Sequence, residues 1–246
     1  TPHHPITPSS HHPTVSMLML LALDTATHTA SIALYDQTAD LLLAEQTWQA
    51  RRRQTEETLP VIQEMLARLE VETHQIDALA VTTGPGSFTG VRIAISVAKG
   101  IALGLDKTPA IVGLPTLAVT AAPLFSPAQA RGATICAFLQ AGRGRYNWAL
   151  FPPGSLLHRP TAQEHGVGKL DAFRDALAAT DGPLWLAGEM TPELAEAGTA
   201  IPGVVALDGV SGLRRAGMLA WLGARHLAAG HADSLDSLEP LYLREP

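Results

Sequence analysis

Cysteine is nearly absent: Cys136 is the single one among 246 residues. That excludes an internal disulfide framework and any metal site built from several thiolates, and it fits a reducing compartment. Cys136 lies in the apolar run ICAFL, where a thiol is inert packing. Aromatic residues are scarce at 5%, so the core is expected to be built from Ala, Val, Leu and Ile. Charged residues are few as well, 16% against 46% hydrophobic, which excludes a disordered chain. The charge leans acidic, with 23 Asp and Glu against 17 Lys and Arg, a net of −6 with histidine neutral. A protein that grips nucleic acid by itself needs clustered cations for the phosphates, so the balance argues against that class. No apolar run approaches the roughly 20 residues that cross a bilayer. The run MLMLLAL (17–23) is short, lacks a basic flank and stops at Asp24, unlike a signal peptide. A soluble, cytoplasmic protein is expected.

Glycine (21) and proline (18) are plentiful and mark many turns. Residues 1–16, TPHHPITPSSHHPTVS, carry four prolines, four histidines and no periodicity. Such a segment buries too little apolar area to offset its ordering entropy, so a disordered leader is expected, with Met17 as the true start. After it the pattern predicts strands at Leu18–Leu23, Ala30–Tyr35 and Leu41–Gln46, with a turn over Asp36–Asp40. A helical period runs through Leu59, Ile62, Leu66 and Leu69, with Pro60 in its first turn or kinking it. A strand at Ile76–Val81, a loop TTGPGSFTG, a helix Val91–Leu105 and a strand around Ala110–Val112 complete a β-β-β-α-β-α-β order.

The second half repeats this order weakly. A shift of 116 lays Asp24 on Gln140 and Ile32-Ala33-Leu34-Tyr35 on Trp148-Ala149-Leu150-Phe151. The strand ending in Gly84 has a counterpart in LWLAG, which ends in Gly188. Two copies of one α/β unit are expected, 17–122 and 123–246, divided within Ala121–Gly132, where Pro123 and Pro127 interrupt the periodicity.

Three segments can carry chemistry. In TTGPGSFTGVRIAISVAKGIALG, Gly84, Gly86 and Gly90 allow a tight strand-to-helix turn, and Ser87 or Thr89 can cap the helix. Free amides behind glycines attract anions, so the loop reads either as a phosphate cradle or as a capped turn. It is neither GxxxxGK[ST] nor GxGxxG, and its G-x-S-x-x-G spacing is not a nucleophile elbow. Its helix carries two rows of small residues, Ala94-Ala98-Ala102 and Ser96-Gly100-Gly104. Glycine inside a helix costs about 1 kcal/mol relative to alanine, and close packing against another helix, internal or of another subunit, would offset it. Asp24, followed by Thr25 and Thr27, ends the first strand, either as an Asx turn or as a carboxylate that orients an Mg-nucleotide. Its repeat counterpart, Gln140, supplies no charged ligand. No HExxH or other close His and carboxylate set occurs, and His28, His74, His158, His165, His226 and His231 are scattered, as surface or capped residues would be.

LALDTATHTASIALYD, GPGSFTGVRIAISVAKGIALG and EPLYLR closely resemble the bacterial TsaB family, also called YeaZ, over nearly the whole chain from Met17 to Arg244. The resemblance implies a duplicated RNase H-like fold of the actin, Hsp70 and sugar-kinase class, with two mixed sheets flanked by helices. It implies a noncatalytic subunit in the synthesis of threonylcarbamoyladenosine beside the tRNA anticodon. The partners it implies are TsaD, TsaE and, when alone, a second copy. tRNA is then met only indirectly and no membrane is involved. No cofactor of its own is implied, with ATP and Mg at the complex interface. The implied partner surface is Gly86, Ser87, Phe88, Thr89, Gly90, Arg92, Ala94, Ser96, Ala98, Lys99 and Gly100. Asp24, Thr25, Gly84 and Gly86 would be a vestigial nucleotide site, with no catalytic and no metal-ligating residue. The chain departs from its relatives at Gln54, where they often carry His. It departs again at Gln140-Ala141-Gly142-Arg143-Gly144-Arg145, where carboxylates give way to a basic patch. An ATP-dependent phosphotransferase of the same fold, or a metallopeptidase of the glycoprotease (M22) type that older naming suggests, are the alternatives.

Overall fold

The computed structural model describes residues 17–199 and 201–243. The expected leader, with His3, His4, His11 and His12, lies outside the described residues. A first sheet holds β1 (Met19–Asp24), β2 (Thr29–Asp36), β3 (Leu41–Gln49), β4 (Ile76–Gly84) and β5 (Ala110–Pro115) in the order β3-β2-β1-β4-β5. β1 runs antiparallel to β2 and parallel to β4. Every residue of β1 is buried, as a central strand covered on both faces requires. Its alternation sorts the core. Met19, Leu21 and Leu23 face the helices α1 (Gln54–Arg68) and α2 (Phe88–Gly104), while Leu20 and Ala22 face the opposite layer. Pro60 falls inside α1 past its first turn, and the helix continues through it.

The stretch in which the two units were expected to divide, Ala121–Gly132, is largely helical. α3 (Thr116–Ala121), a 3₁₀ turn (Ala122–Leu124) and α4 (Phe125–Arg131) bury Leu117, Ala118, Ala121, Ala122 and Ala128 between the two sheets. Pro123 and Pro127 each sit in a first turn, where the missing N–H has no helical partner to lose. Proline there starts a helix without breaking the chain into a loop.

A second sheet follows with β6 (Thr134–Gln140), β7 (Arg145–Phe151), β8 (His165–Lys169), β9 (Leu184–Gly188) and β10 (Val204–Ala206), order β10-β9-β6-β7-β8. Read from the other edge, this is the first sheet's order with the same parallel and antiparallel neighbours. The duplication is therefore a duplication of topology. The second hairpin is one residue shorter: Asp24 pairs with Ser31, but Gln140 pairs with Tyr146. Ile32 thus stands level with Asn147, not with Trp148. Gly142, Arg143 and Gly144 absorb the difference in a turn with left-handed φ of 72°, 53° and 68°. α5 (Leu170–Ala178) and α6 (Pro192–Thr199) flank this sheet. Here the aromatics concentrate: Phe138 and Phe173 are fully buried, with Tyr146 and Trp148 against Phe173. The expectation of an aliphatic core holds for the first sheet and not for the second.

The chain then turns back. α7 (Ala216–Ala228) packs on the first sheet, bringing Leu219, Ala220 and Leu222 onto the face that carries Leu20 and Ala22. Gly223 lets it approach β4, because a β-carbon there would stand 2.9 Å from that of Ala80. The tail runs along the first sheet's end. The Asp233 N–H donates to the Ile111 carbonyl at 2.8 Å, and the Leu241 N–H donates to the Thr83 carbonyl at 2.7 Å. Among the described residues, no helix is long and apolar enough to cross a membrane.

Candidate functional site

The strand ends β1, β4 and β6 open onto a cleft of about 860 Å³ shared by both halves. Thr27, Gln54 and Gly86 line it from the first half, Arg145 and Glu189 from the second, and Tyr242 from the tail. Gln54 is buried and donates through Nε2 to the Thr27 carbonyl at 2.9 Å. It closes the loop after β1. The Gln140 N–H donates to Glu189 Oε2 at 3.2 Å, so this lip carries a carboxylate beside the basic turn.

Asp24 makes the Asx turn: its Oδ1 accepts the Ala26 N–H at 2.9 Å and the Thr82 hydroxyl at 2.9 Å. Its Oδ2 accepts from Arg214 Nε in a bridge that is buried on both sides. Thr25 is wholly buried. Its Oγ1 donates to the Gly90 carbonyl at 2.6 Å and accepts the Ala94 N–H at 3.1 Å, tying the end of β1 to the first two turns of α2. The side-chain oxygens of Asp24 and Thr25, expected at a vestigial nucleotide site, are thus engaged by Ala26, Thr82, Arg214, Gly90 and Ala94.

The glycine loop has a structural reason of its own. A β-carbon at Gly86 would overlap the Ala26 carbonyl oxygen, and one at Gly90 would overlap that of Thr25. Gly84 takes φ +112°, and a β-carbon there would meet the Leu241 carbonyl oxygen at 3.0 Å. Ser87 caps α2 by accepting the Gly90 N–H at 3.2 Å, while its own N–H donates to the Ala26 carbonyl at 2.6 Å. Close approach of two loops demands these glycines.

Helix α2 separates its two small rows. Ala94, Ala98 and Ala102 are buried with Val91 and Ile95 against the first sheet. Gly100 and Gly104 face outward, and a β-carbon on either would meet nothing within 4 Å. The assignment of Gly90, Ala94 and Ala98 to a partner surface is therefore corrected: they belong to this chain's own core, because Val91 and Ile95 on the same side carry the larger apolar area. Gly86, Ser87, Phe88, Thr89, Arg92, Ser96 and Gly100 are exposed, and Lys99 is half-buried.

Two residues here were not singled out from the sequence. Tyr242 lies over the start of α2, its ring 5.8 Å from that of Phe88 and its hydroxyl accepting from Arg92 Nε at 3.0 Å. The Arg92 guanidinium stacks 3.7 Å from the Phe88 ring centre. The motif EPLYLR held the signal. Arg214 is the other, and an apolar stretch flanking a double arginine was its only mark.

Of the other reactive side chains singled out, His28 lines the cleft. Cys136 is buried in β6, and burial pushes its thiol up. Of the histidines expected to be surface or capped, His226 and His165 are buried, each with an unpartnered Nε2, and His165 Nδ1 lies 2.8 Å from the Thr161 carbonyl oxygen. Among the described residues, no group of three or more His, Cys, Asp or Glu is placed to hold a metal ion.

Comparison with known proteins agrees with this architecture. The family model of TsaD, tRNA N6-adenosine threonylcarbamoyltransferase, matches residues 47–151. The tRNA threonylcarbamoyladenosine biosynthesis protein TsaB of Escherichia coli K12 is 29% identical, over 92% of this chain and 95% of that one. TsaB of Haemophilus influenzae is 45% identical over 36% of each chain. A Pseudomonas aeruginosa protein described as similar to peptidase YEAZ superposes with a TM-score of 0.70 at 26% identity, covering 93% of this chain and all of that one. YeaZ from Pseudomonas aeruginosa has a TM-score of 0.66 at 23% identity, over 92% of this chain and all of that one. Along nearly its whole length the chain is similar to the TsaB (YeaZ) proteins, and its two sheets repeat one topology, as in a duplicated RNase H-like fold.

Proposed function

We propose that this chain serves tRNA threonylcarbamoyladenosine biosynthesis, the process named for its relatives, as a noncatalytic subunit. It presents the outer face of α2 to a TsaD partner, with TsaE completing the assembly. When alone it pairs with a second copy through the same face. ATP and Mg belong to the complex interface, and the partner holds the tRNA. The net charge of −6 supports that division of labour, since phosphate binding needs an excess of cations.

One observation carries the reading: Gly100, inside α2, and Gly104, its last residue, face open space. Gly100 costs about 1 kcal/mol relative to alanine, and nothing among the described residues packs against it. A partner backbone approaching closely would compensate. Phe88 and Leu103, 59% and 78% exposed, add apolar area at the two ends of this face.

Mixing the chain with TsaD and TsaE of the same organism and ATP, followed by size-exclusion chromatography with light scattering, tests the proposal. A complex lost on Gly100→Arg is expected. No complex under any of these conditions, or one indifferent to Gly100→Arg, would sink it.

A further inference from the structure

The fold class implies a metal ion near the end of β1, and the donor set present does not fit one. A divalent cation of this kind takes hard oxygen ligands and more than one negative charge, commonly from carboxylates and a nucleotide together. Asp24, the carboxylate that ends β1, has both oxygens engaged, by the Ala26 N–H and Thr82 hydroxyl on one and by Arg214 on the other. The equivalent position in the second half is Gln140, which is uncharged.

Arg214 reaches this carboxylate from 190 residues away in the chain. Its side chain is 5% exposed and that of Asp24 2%. A carboxylate so deeply buried needs an opposite charge beside it. Arg214 supplies that charge through Nε and uses Nη2 on Thr27 Oγ1 at 3.2 Å, so one planar group fixes both ends of the loop after β1. It belongs to the segment that carries the chain from β10 back to the first sheet. Two residues on, the Ala216 N–H donates to Ser31 Oγ at 2.8 Å, on the strand beside Asp24.

We propose that Arg214 is a resident counter-ion that takes the place of a metal cation at Asp24. It ties the crossing segment to the end of β1 and closes that carboxylate to divalent cations. The cleft then keeps its shape without a bound ion, which goes beyond the partner-binding role of α2 and does not depend on it.

The test uses the full chain with Mn²⁺ alone as the probe, read by thermal melting and by Mn²⁺ titration under electron paramagnetic resonance. The native chain should melt at a temperature indifferent to millimolar Mn²⁺. Arg214→Ala should melt lower and recover by several degrees as Mn²⁺ saturates the vacated place. Asp24→Asn with Arg214→Ala should abolish that recovery, and Asp24→Asn with Arg214→Met should fold with no cation response. The proposal is overturned if folded Arg214→Ala ignores Mn²⁺, or if it stays unfolded even with Mn²⁺. It is overturned equally if the response survives Asp24→Asn, or if the native chain binds Mn²⁺ in a manner that Asp24→Asn removes.

Discussion

Ala98 and Gly100 stand two residues apart on α2 and face opposite ways: Ala98 is wholly buried against the first sheet, and Gly100 looks onto open space. The same substitution at the two positions therefore has opposite consequences. Ala98→Arg forces a charge into a filled core and should cost at least about 3 kcal/mol, leaving little folded protein by circular dichroism. Gly100→Arg should stabilise the isolated chain by up to about 1 kcal/mol in urea unfolding, because it removes a helix-interior glycine. It should at the same time abolish the proposed complex in size-exclusion chromatography.

The glycine loop gives a second contrast. Gly86→Ala and Gly90→Ala each set a β-carbon into a carbonyl oxygen of the Thr25–Ala26 segment. Each should cost about 1–3 kcal/mol in chemical unfolding. Gly100→Ala, in the helix interior and meeting nothing within 4 Å, should gain about 1 kcal/mol in the same measurement.

Buried histidine makes the fold sensitive to mild acid. His226 is pushed down to about 4, chiefly by burial and then by the charges of Arg159 and His231, with Asp233 opposing. In the unfolded chain it takes a proton near the ordinary value of 6.5. The unfolded state thus binds more protons between these values, and stability, fully present above about 6.5, falls as pH drops toward 4. His165 is lowered by burial as well and acts in the same direction. Urea midpoints measured from pH 7.5 to 4 should decline. His226→Met should flatten the decline without removing the share of His165.

Tyr242 separates stability from association. It is half exposed and touches Phe88 and Arg92 on the outer part of α2. Tyr242→Ala should therefore change unfolding free energy by no more than about 1 kcal/mol. It should weaken the proposed complex more than that, since it removes an aromatic surface beside Gly86–Thr89. Isothermal titration calorimetry against TsaD measures the difference. Unchanged affinity would remove Tyr242 from the interface.

Much of the fold was legible because its signals are local. The apolar run at β1, the alternation of β2 and the glycines before α2 act within a few residues, and the observed boundaries lie close to the expected ones. The duplication was legible at Asp24 and Gln140, and it drifted by one residue where the second hairpin is shorter. The inward row of α2 was less legible, since alanine, serine and glycine differ little in hydrophobicity. Val91 and Ile95 beside one row and Arg92 and Lys99 toward the other carried the answer. Arg214 was illegible: its neighbour Arg215 is the same residue, and only contact with Asp24, far off in sequence, distinguishes them. The helical path through Pro123 and Pro127 gave no periodic signal, because proline in a first turn is compatible with a helix yet interrupts the apolar pattern.

The return of α7 to the first sheet gives the chain a particular history. A fragment ending at Ala122 leaves Leu20, Ala22, Ala80 and Val112 without the helix that covers them, and should show no cooperative unfolding transition by circular dichroism. On the ribosome the same situation holds for a time. The first sheet's last strand ends at Pro115, and its covering helix begins only at Ala216, roughly a hundred residues later. The half that is synthesised first is therefore the half that is finished last, and the second half must be made before the first can close.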